Sequence, residues 1–410
     1  MKLIFHERLN QNFKNFAIGV DFLLSSLYEE NMRWSLVSIV CSLSLYGEGL
    51  SRSDTVPTEH TETADDTYLE GYIQALVNAH YYEFNILVDV KDQHVYLYNL
   101  PENRLTRNSI IAFVKDVPGV KDVHKGEGTP PKEFSEREKK EVSKISGVWL
   151  PQSTLLFQPI LGDPREPMYS AQARFGDTVL GQKSVAVSYG DTFPIYRWRN
   201  VGSIGAAVQV GITAGVWSVF NMWVKHRCGE WSELVNTSFL IGFPVSLAFD
   251  NWAFRFRIYH QSCHLGDEYM KYHPNVKRVN PSIEAIDIFA NYQVTDGLRF
   301  YFGPGVVYNS DTSFPIKPLY FEFGSELRAL GKRSFYHQLY GTGFLALNVR
   351  LWQEMNYRMD FTGMLGYEWS KLQGIGRKFR FFIGYHNGYS EGQFFKETSD
   401  YFMFGLSYGF

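Results

Sequence analysis

The chain lacks any long hydrophobic run past residue 50, where no stretch approaches the roughly 20 apolar residues that a membrane-crossing helix needs. Cysteine is scarce: Cys41, Cys228 and Cys263 are the three in 410 residues, and their spacing fits no metal-ligand pattern. There is no glycine-rich phosphate loop, no Cys/His zinc pattern and no nucleotide signature. Neither sign of charge dominates. A formal net charge of −3 and a pI of about 6.4 give no reason to expect nucleic acid as a partner. What is abundant is aromatic: 33 Phe and 26 Tyr contribute to an aromatic share of 17%, while mean hydropathy is only −0.22. That combination suits an antiparallel barrel whose outer face is apolar and whose lumen is polar.

The last strand carries the same message. In residues 401–410, Phe402, Phe404, Leu406, Tyr408 and Phe410 share one face; Tyr401, Met403, Gly405, Ser407 and Gly409 share the other. A soluble β-sandwich could use such a strand in its core. An aromatic last residue on this pattern resembles the C-terminal signal of bacterial outer-membrane proteins, which is recognised during barrel assembly.

The alternation extends back to about residue 147, in segments of about ten residues set apart by Gly, Asn, Asp and Pro turns. Strands are expected near 183–198, 203–211, 214–223, 234–247, 252–262, 283–292, 297–307, 317–328, 340–352, 357–368, 377–387 and 398–410, with a further short one at 168–175. The fold class is therefore mainly β: an antiparallel transmembrane barrel of about 12 strands, closed by pairing 398–410 with the strand near 183–198. A charge facing lipid at mid-membrane costs about 2–4 kcal/mol, so Arg255, Arg257, Asp287, Arg299, Glu322, Glu326, Arg350 and Asp360 are expected to point inward and pair. A lumen of this size is more readily filled by such a network than left as a wide pore.

Ahead of the barrel the chain is divided. Residues 1–50 read as an N-terminal extension and a signal peptide that starts at Met32, with Arg33 as its positive region, Leu36 to Leu45 as its apolar core, and Gly47 and Gly49 as small residues suited to cleavage. An uncleaved N-terminal anchor is the alternative. Residues 51–66 are a polar linker, and 126–146 a second, charged one. Between them, 67–125 has the order α-β-β-α-β, with helices over Tyr68–Ala79 and Arg104–Asp116 and a closing Pro118-Gly119-Val120. That order resembles the BON domain, a small periplasmic module linked to phospholipid or envelope binding, with Asn99 where the family usually has glycine. The resemblance implies that residues 51–146 lie in the periplasm and that 67–125 meets envelope partners. Residues 147–410 form the barrel, in the bacterial outer membrane.

Two further stretches resemble known families. Trp149-Leu150-Pro151, Gly162-Asp163-Pro164-Arg165-Glu166-Pro167 and His260 through Glu268 together are similar to a family of uncharacterised chlamydial outer-membrane proteins of about this length, whose activity is not established. His260-Gln261-Ser262 resembles the motif of outer-membrane phospholipase A, a 12-stranded barrel whose catalytic His and Ser face outer-leaflet lipid; lipid A deacylases use a similar His-x-Ser. With Phe410 at the periplasmic side, strand 252–262 runs outward. His260 and Ser262 then share the lipid face with Phe254, Phe256 and Ile258. The resemblance implies a Ser262 nucleophile, a His260 base and an orienting Asn280 or Glu284 on the next strand. Backbone N–H groups near Cys263 would serve as oxyanion donors. The motif departs after Ser262, where Cys263-His264 stands in place of the phospholipases' Asn-Gly. The bland reading is an aromatic-belt histidine and a capping serine.

In the following loop His264, Asp267 and Glu268 could hold a divalent cation such as Ca2+ near a lipid headgroup; an ordinary surface loop is the alternative. Three functions follow: a structural or envelope-tethering barrel, an outer-leaflet lipid acyl hydrolase, and a narrow channel. Expected partners are outer-membrane lipids, envelope components and a second copy of the chain.

Overall fold

The computed structural model describes residues 66–127, 147–151, 153–226, 229–334, 339–371 and 375–410. The expected signal peptide, most of both linkers, Cys41 and Cys228 lie outside the described residues. No helix among them is long and apolar enough to cross a membrane.

The first part is a small α+β module. Helix α1 (Asp66–Tyr81) buries Leu69, Ile73 and Val77, a stripe at helical spacing. Helix α2 (Arg104–Lys115) starts at Asn103, whose side chain accepts a hydrogen bond from the Thr106 N–H. Both pack on a sheet of β1 (Leu87–Lys91), β2 (His94–Tyr98) and β3 (Asp122–Lys125), with β3 parallel to β2. Asn99 takes φ 61°, the left-handed region that glycine favours. Its amide donates to the Phe84 and Asn85 carbonyls, at 3.2 and 3.0 Å, which holds it there.

The second part is a closed antiparallel barrel of twelve strands. In chain order they are β5 (Tyr169–Asp177), β6 (Gly181–Val201), β7 (Ala206–His226), β8 (Gly229–Phe249), β9 (Trp252–Leu265), β10 (Ser282–Thr295), β11 (Leu298–Ser310), β12 (Leu319–Ser334), β13 (Leu339–Trp352), β14 (Met359–Ser370), β15 (Lys378–Tyr389) and β16 (Thr398–Gly409). A three-residue strand, β4 (Gly147–Trp149), extends the wall by pairing with β6. All eight charged residues assigned to the lumen are buried, while Phe404, Leu406 and Tyr408 are exposed on the outside.

Two details differ from expectation. Segments 203–211 and 214–223 are one strand, β7. Gly211 inside it marks close packing, not a turn, since a Cβ there would lie 2.6 Å from the Phe193 carbonyl oxygen. And β16 closes the barrel on β5, the short strand near 168–175, rather than on β6. That strand shows weak alternation because two of its outward residues, Ala171 and Ala173, are small.

The lumen is filled. Residues 153–168 run inside the wall before becoming β5, and Leu155, Phe157, Ile160 and Leu161 are buried there. Phe157 and Ile160 pack with Phe289, Tyr301 and Ala253; Leu161 packs with Phe344, Phe382 and Met403. The Gly162–Pro167 motif contributes its three charges to this plug. Asp163 accepts a hydrogen bond from Arg350 at 2.7 Å, Arg165 lies 3.8 Å from Asp360, and Glu166 accepts from Arg255 at 2.7 Å. Arg299 holds the plug backbone at the Gln158 and Pro159 carbonyls and pairs with Glu326 at 2.6 Å. At one end the loops bring Phe314 and Phe395 over Tyr259, Tyr320 and Trp352.

At the other end, the end of Phe410, the module is bound to the rim. The Arg104 N–H donates to the Asp250 carbonyl at 2.8 Å, Asn108 donates to Asp296 at 2.9 Å, and Ile375 from the β14–β15 connection enters the module core. Glu83 and Arg197, both fully buried, pair at 3.3 Å. The module thus has its own sheet but is fastened to the barrel.

Candidate functional site

Strands β9 and β10 place His260 opposite Glu284 and Ser262 opposite Ser282. Because side chains alternate, His260 and Glu284 share the outward face with the exposed Phe256, Ile258 and Ile288. Their side chains are 43% and 30% exposed. The His260 Nδ1–H donates to Glu284 Oε1 at 2.9 Å, and the Asn309 amide donates to Glu284 Oε2 at 2.6 Å. A carboxylate at Nδ1 favours the tautomer protonated there, leaving the Nε2 lone pair as the basic site.

The remaining residues of the expected constellation stand differently. Ser262 lies on the same face, about 7 Å from His260 at Cα. Among the described residues its hydroxyl makes no hydrogen bond, so no Ser–His dyad is formed in this state. Asn280 is not at the imidazole. It sits in the loop before β10 and donates to Asp311 Oδ2 at 2.9 Å. Hydrogen bonds from Ser313, then from Asn280, hold the Asp311 carboxyl below the usual carboxylate range. The Cys263 N–H, an expected oxyanion donor, is spent on the Pro281 carbonyl at 3.0 Å. Cys263 itself is a buried free thiol on the lumen side.

The cation ligands do not converge. His264 is on the outer face beside the Phe239 ring, whereas Asp267 and Glu268 open the short helix α3 (Asp267–Tyr272) and Glu268 accepts from the Leu234 N–H. Among the described residues no group of three His, Cys, Asp or Glu side chains could hold a metal ion.

Asn309 escapes sequence reasoning for a geometrical reason. Strict alternation from Arg299, Tyr301 and Val307 puts Asn309 in the lumen. A register shift between Glu284 and Ala285 pairs Glu284 with Asn309 but Ala285 with Val307, and this bulge brings Asn309 outward onto Glu284.

Among curated proteins none matches the chain. Among solved structures it is similar to the outer membrane phospholipase (OMPLA) dimer of Salmonella typhi with bound calcium, at 11% identity and a TM-score of 0.37, over 62% of this chain and 94% of that one. It is also similar to outer membrane phospholipase A from Escherichia coli, at 11% identity and a TM-score of 0.38, over 62% and 98%. The transport unit of the autotransporter AIDA-I from Escherichia coli gives 9% identity and a TM-score of 0.30, over 62% and 94%. The model of a family described as proteins of unknown function, DUF1207, matches residues 83–410, and the chain belongs to that family.

Proposed function

We propose that the protein is an integral outer-membrane β-barrel of the bacterial envelope, closed to solutes, that serves as an anchor for a periplasmic tethering module. The observation that carries this is the contrast between the two sides of the wall: apolar and aromatic outside, filled by an ion-paired plug inside. An open sheet could not sit in lipid, and among the described residues the twelve strands close on themselves, β16 onto β5. Placing Phe410 at the periplasmic side puts the module there too, because the turns that bind it, at Asp250 and Asp296, lie at the same end. Its two-helix, three-stranded order fits the envelope-binding role that the BON resemblance implies. In planar bilayers the purified protein should give no conductance steps, and in whole cells the module should resist protease until the outer membrane is permeabilised. Regular conductance steps would replace this reading with a channel; a module cleaved in intact cells would reverse the orientation.

A second reading, an outer-leaflet lipid acyl hydrolase, is favoured by the His260–Glu284–Asn309 chain. In it the Ser262 oxygen attacks an ester carbonyl after its side chain turns toward His260. The Nε2 atom takes the hydroxyl proton and passes it to the departing alcohol. Water then hydrolyses the acyl-serine, releasing a fatty acid and restoring the hydroxyl. Ser262→Ala should fold and insert as the wild type does while losing all turnover of phospholipid or lipid A, assayed with and without calcium. A wild type with no turnover on either lipid removes the enzyme and leaves the anchor.

A further inference from the structure

We propose that the outer wall carries a trough that binds one acyl chain of a membrane lipid. It starts at His260 and crosses β8 and β7 to β6. The inference rests on the barrel being embedded in lipid and goes beyond that reading; it does not require Ser262 to be a nucleophile.

The trough follows from register. His260 pairs with Ile241, Ile241 with Ala214, and Ala214 with Asp191, so these four residues form one row across four neighbouring strands. Each points outward. Ala214 is the small member, and it lowers the floor at the middle of the row. Two residues along each strand, on either side, stand larger side chains: Tyr189 and Phe239 on one bank, Phe193 and Phe243 on the other, all exposed to the outside. The result is a depression of about 400 Å3 with a predominantly apolar lining.

Its dimensions select the occupant. Each bank is about 7 Å from the floor row, which leaves width for one hydrocarbon chain and not for a strand or helix of a partner protein. Three interstrand spacings make it about 14 Å long across the strands; with the strands tilted by about 45° it descends roughly 10 Å through the hydrocarbon core, within the depth of one leaflet.

Its ends differ as a lipid's do. At the outer end, the His260–Glu284–Asn309 chain offers polar groups to a headgroup or ester. At the inner end, Asp191 would be a bare charge against lipid, but Arg377 pairs with it at 2.6 Å and covers it, leaving it buried; Arg377 in turn lies over the Phe410 ring. The wall around an acyl tail is thereby left without an unpaired carboxylate.

The test is lipid retention, read by native mass spectrometry after folding into micelles containing phosphatidylethanolamine or lipid A, followed by detergent exchange. The wild type should keep one lipid per barrel. Ala214→Phe fills the trough and should lower the lipid-bound fraction about tenfold or more, since the buried apolar contact is lost. Ala290→Phe adds the same bulk to the lipid face of β10, away from the trough, and should keep the lipid. Retention that is equal in both variants and the wild type, or a wild type that holds no lipid, overturns the proposal. Retention of a second protein chain in place of lipid also overturns it. Folding into vesicles, followed by heat-modifiable gel migration, separates the two failures. A chain that does not insert removes the outer-membrane reading, whereas a chain that inserts and retains nothing removes the trough alone.

Discussion

Arg350→Met should destabilise the barrel by about 3–5 kcal/mol, the loss expected when one partner is stripped from a buried ion cluster. Arg350 projects from β13 and bonds both Glu322 on β12 and Asp163 of the plug. The two carboxylates are 1% and 5% exposed. Without the guanidinium, two buried carboxylates are left facing one another with no water to solvate them. The measurement is the urea midpoint for unfolding from vesicles, with the wild type as reference. A triple change that also makes Glu322 and Asp163 apolar, Glu322→Leu with Asp163→Leu, should recover most of the loss, because no charge then remains to be satisfied. A single variant within about 1 kcal/mol of the wild type would mean that the plug is not clamped by this cluster.

The second large effect separates a membrane barrel from a soluble one. Leu406 is 44% exposed on the outer face of β16. In water, an exposed Leu→Arg change falls within about 0.5 kcal/mol of neutral. In lipid, Leu406→Arg should cost about 2–4 kcal/mol if the residue sits near the bilayer midplane. Leu330 provides the contrast. It is 88% exposed on β12, close to the module end, and Leu330→Arg there should cost less than about 1 kcal/mol, the interfacial range. Folding free energies of both variants in vesicles give the comparison. Equal, near-zero costs at both positions would place Leu406 in water and sink the outer-membrane proposal.

The barrel was readable because the two sides of its wall face different media. Phe379, Phe381 and Ile383 alternate with Lys378, Arg380 and Gly384, so the period-two pattern survives in the sequence wherever both faces carry strong preferences. It fades where they do not. The Ala171 and Ala173 face of β5 gives little signal, and so the strand that closes the barrel was the weakest in the chain. Gly211 in β7 has the composition of a turn but serves a tight approach between neighbouring strands.

The site was legible in the same uneven way. His260 and Glu284 fall on one outward face by alternation alone, and the structure adds the hydrogen bond between them. Asn280 follows no such rule. It precedes the first residue of β10, where the chain is still loop, and local hydrogen bonds to Asp311 and Ser313 set its direction. Asn309 is turned outward by a bulge that periodicity does not encode.

The fold class, the inward direction of the charged residues and the need of each of those charges for a partner depend on residue types and their spacing along one strand, and so are legible without the fold. Tertiary structure alone decided who the partners are. Arg350 meets Asp163 across 187 positions of chain, and Arg255 meets Glu166 across 89. A separation of that size enters the sequence only as two ordinary residues of opposite charge. What brings them together is closure of the sheet around the plug, which excludes water from the lumen and leaves each buried charge stable only where the fold supplies its counterpart.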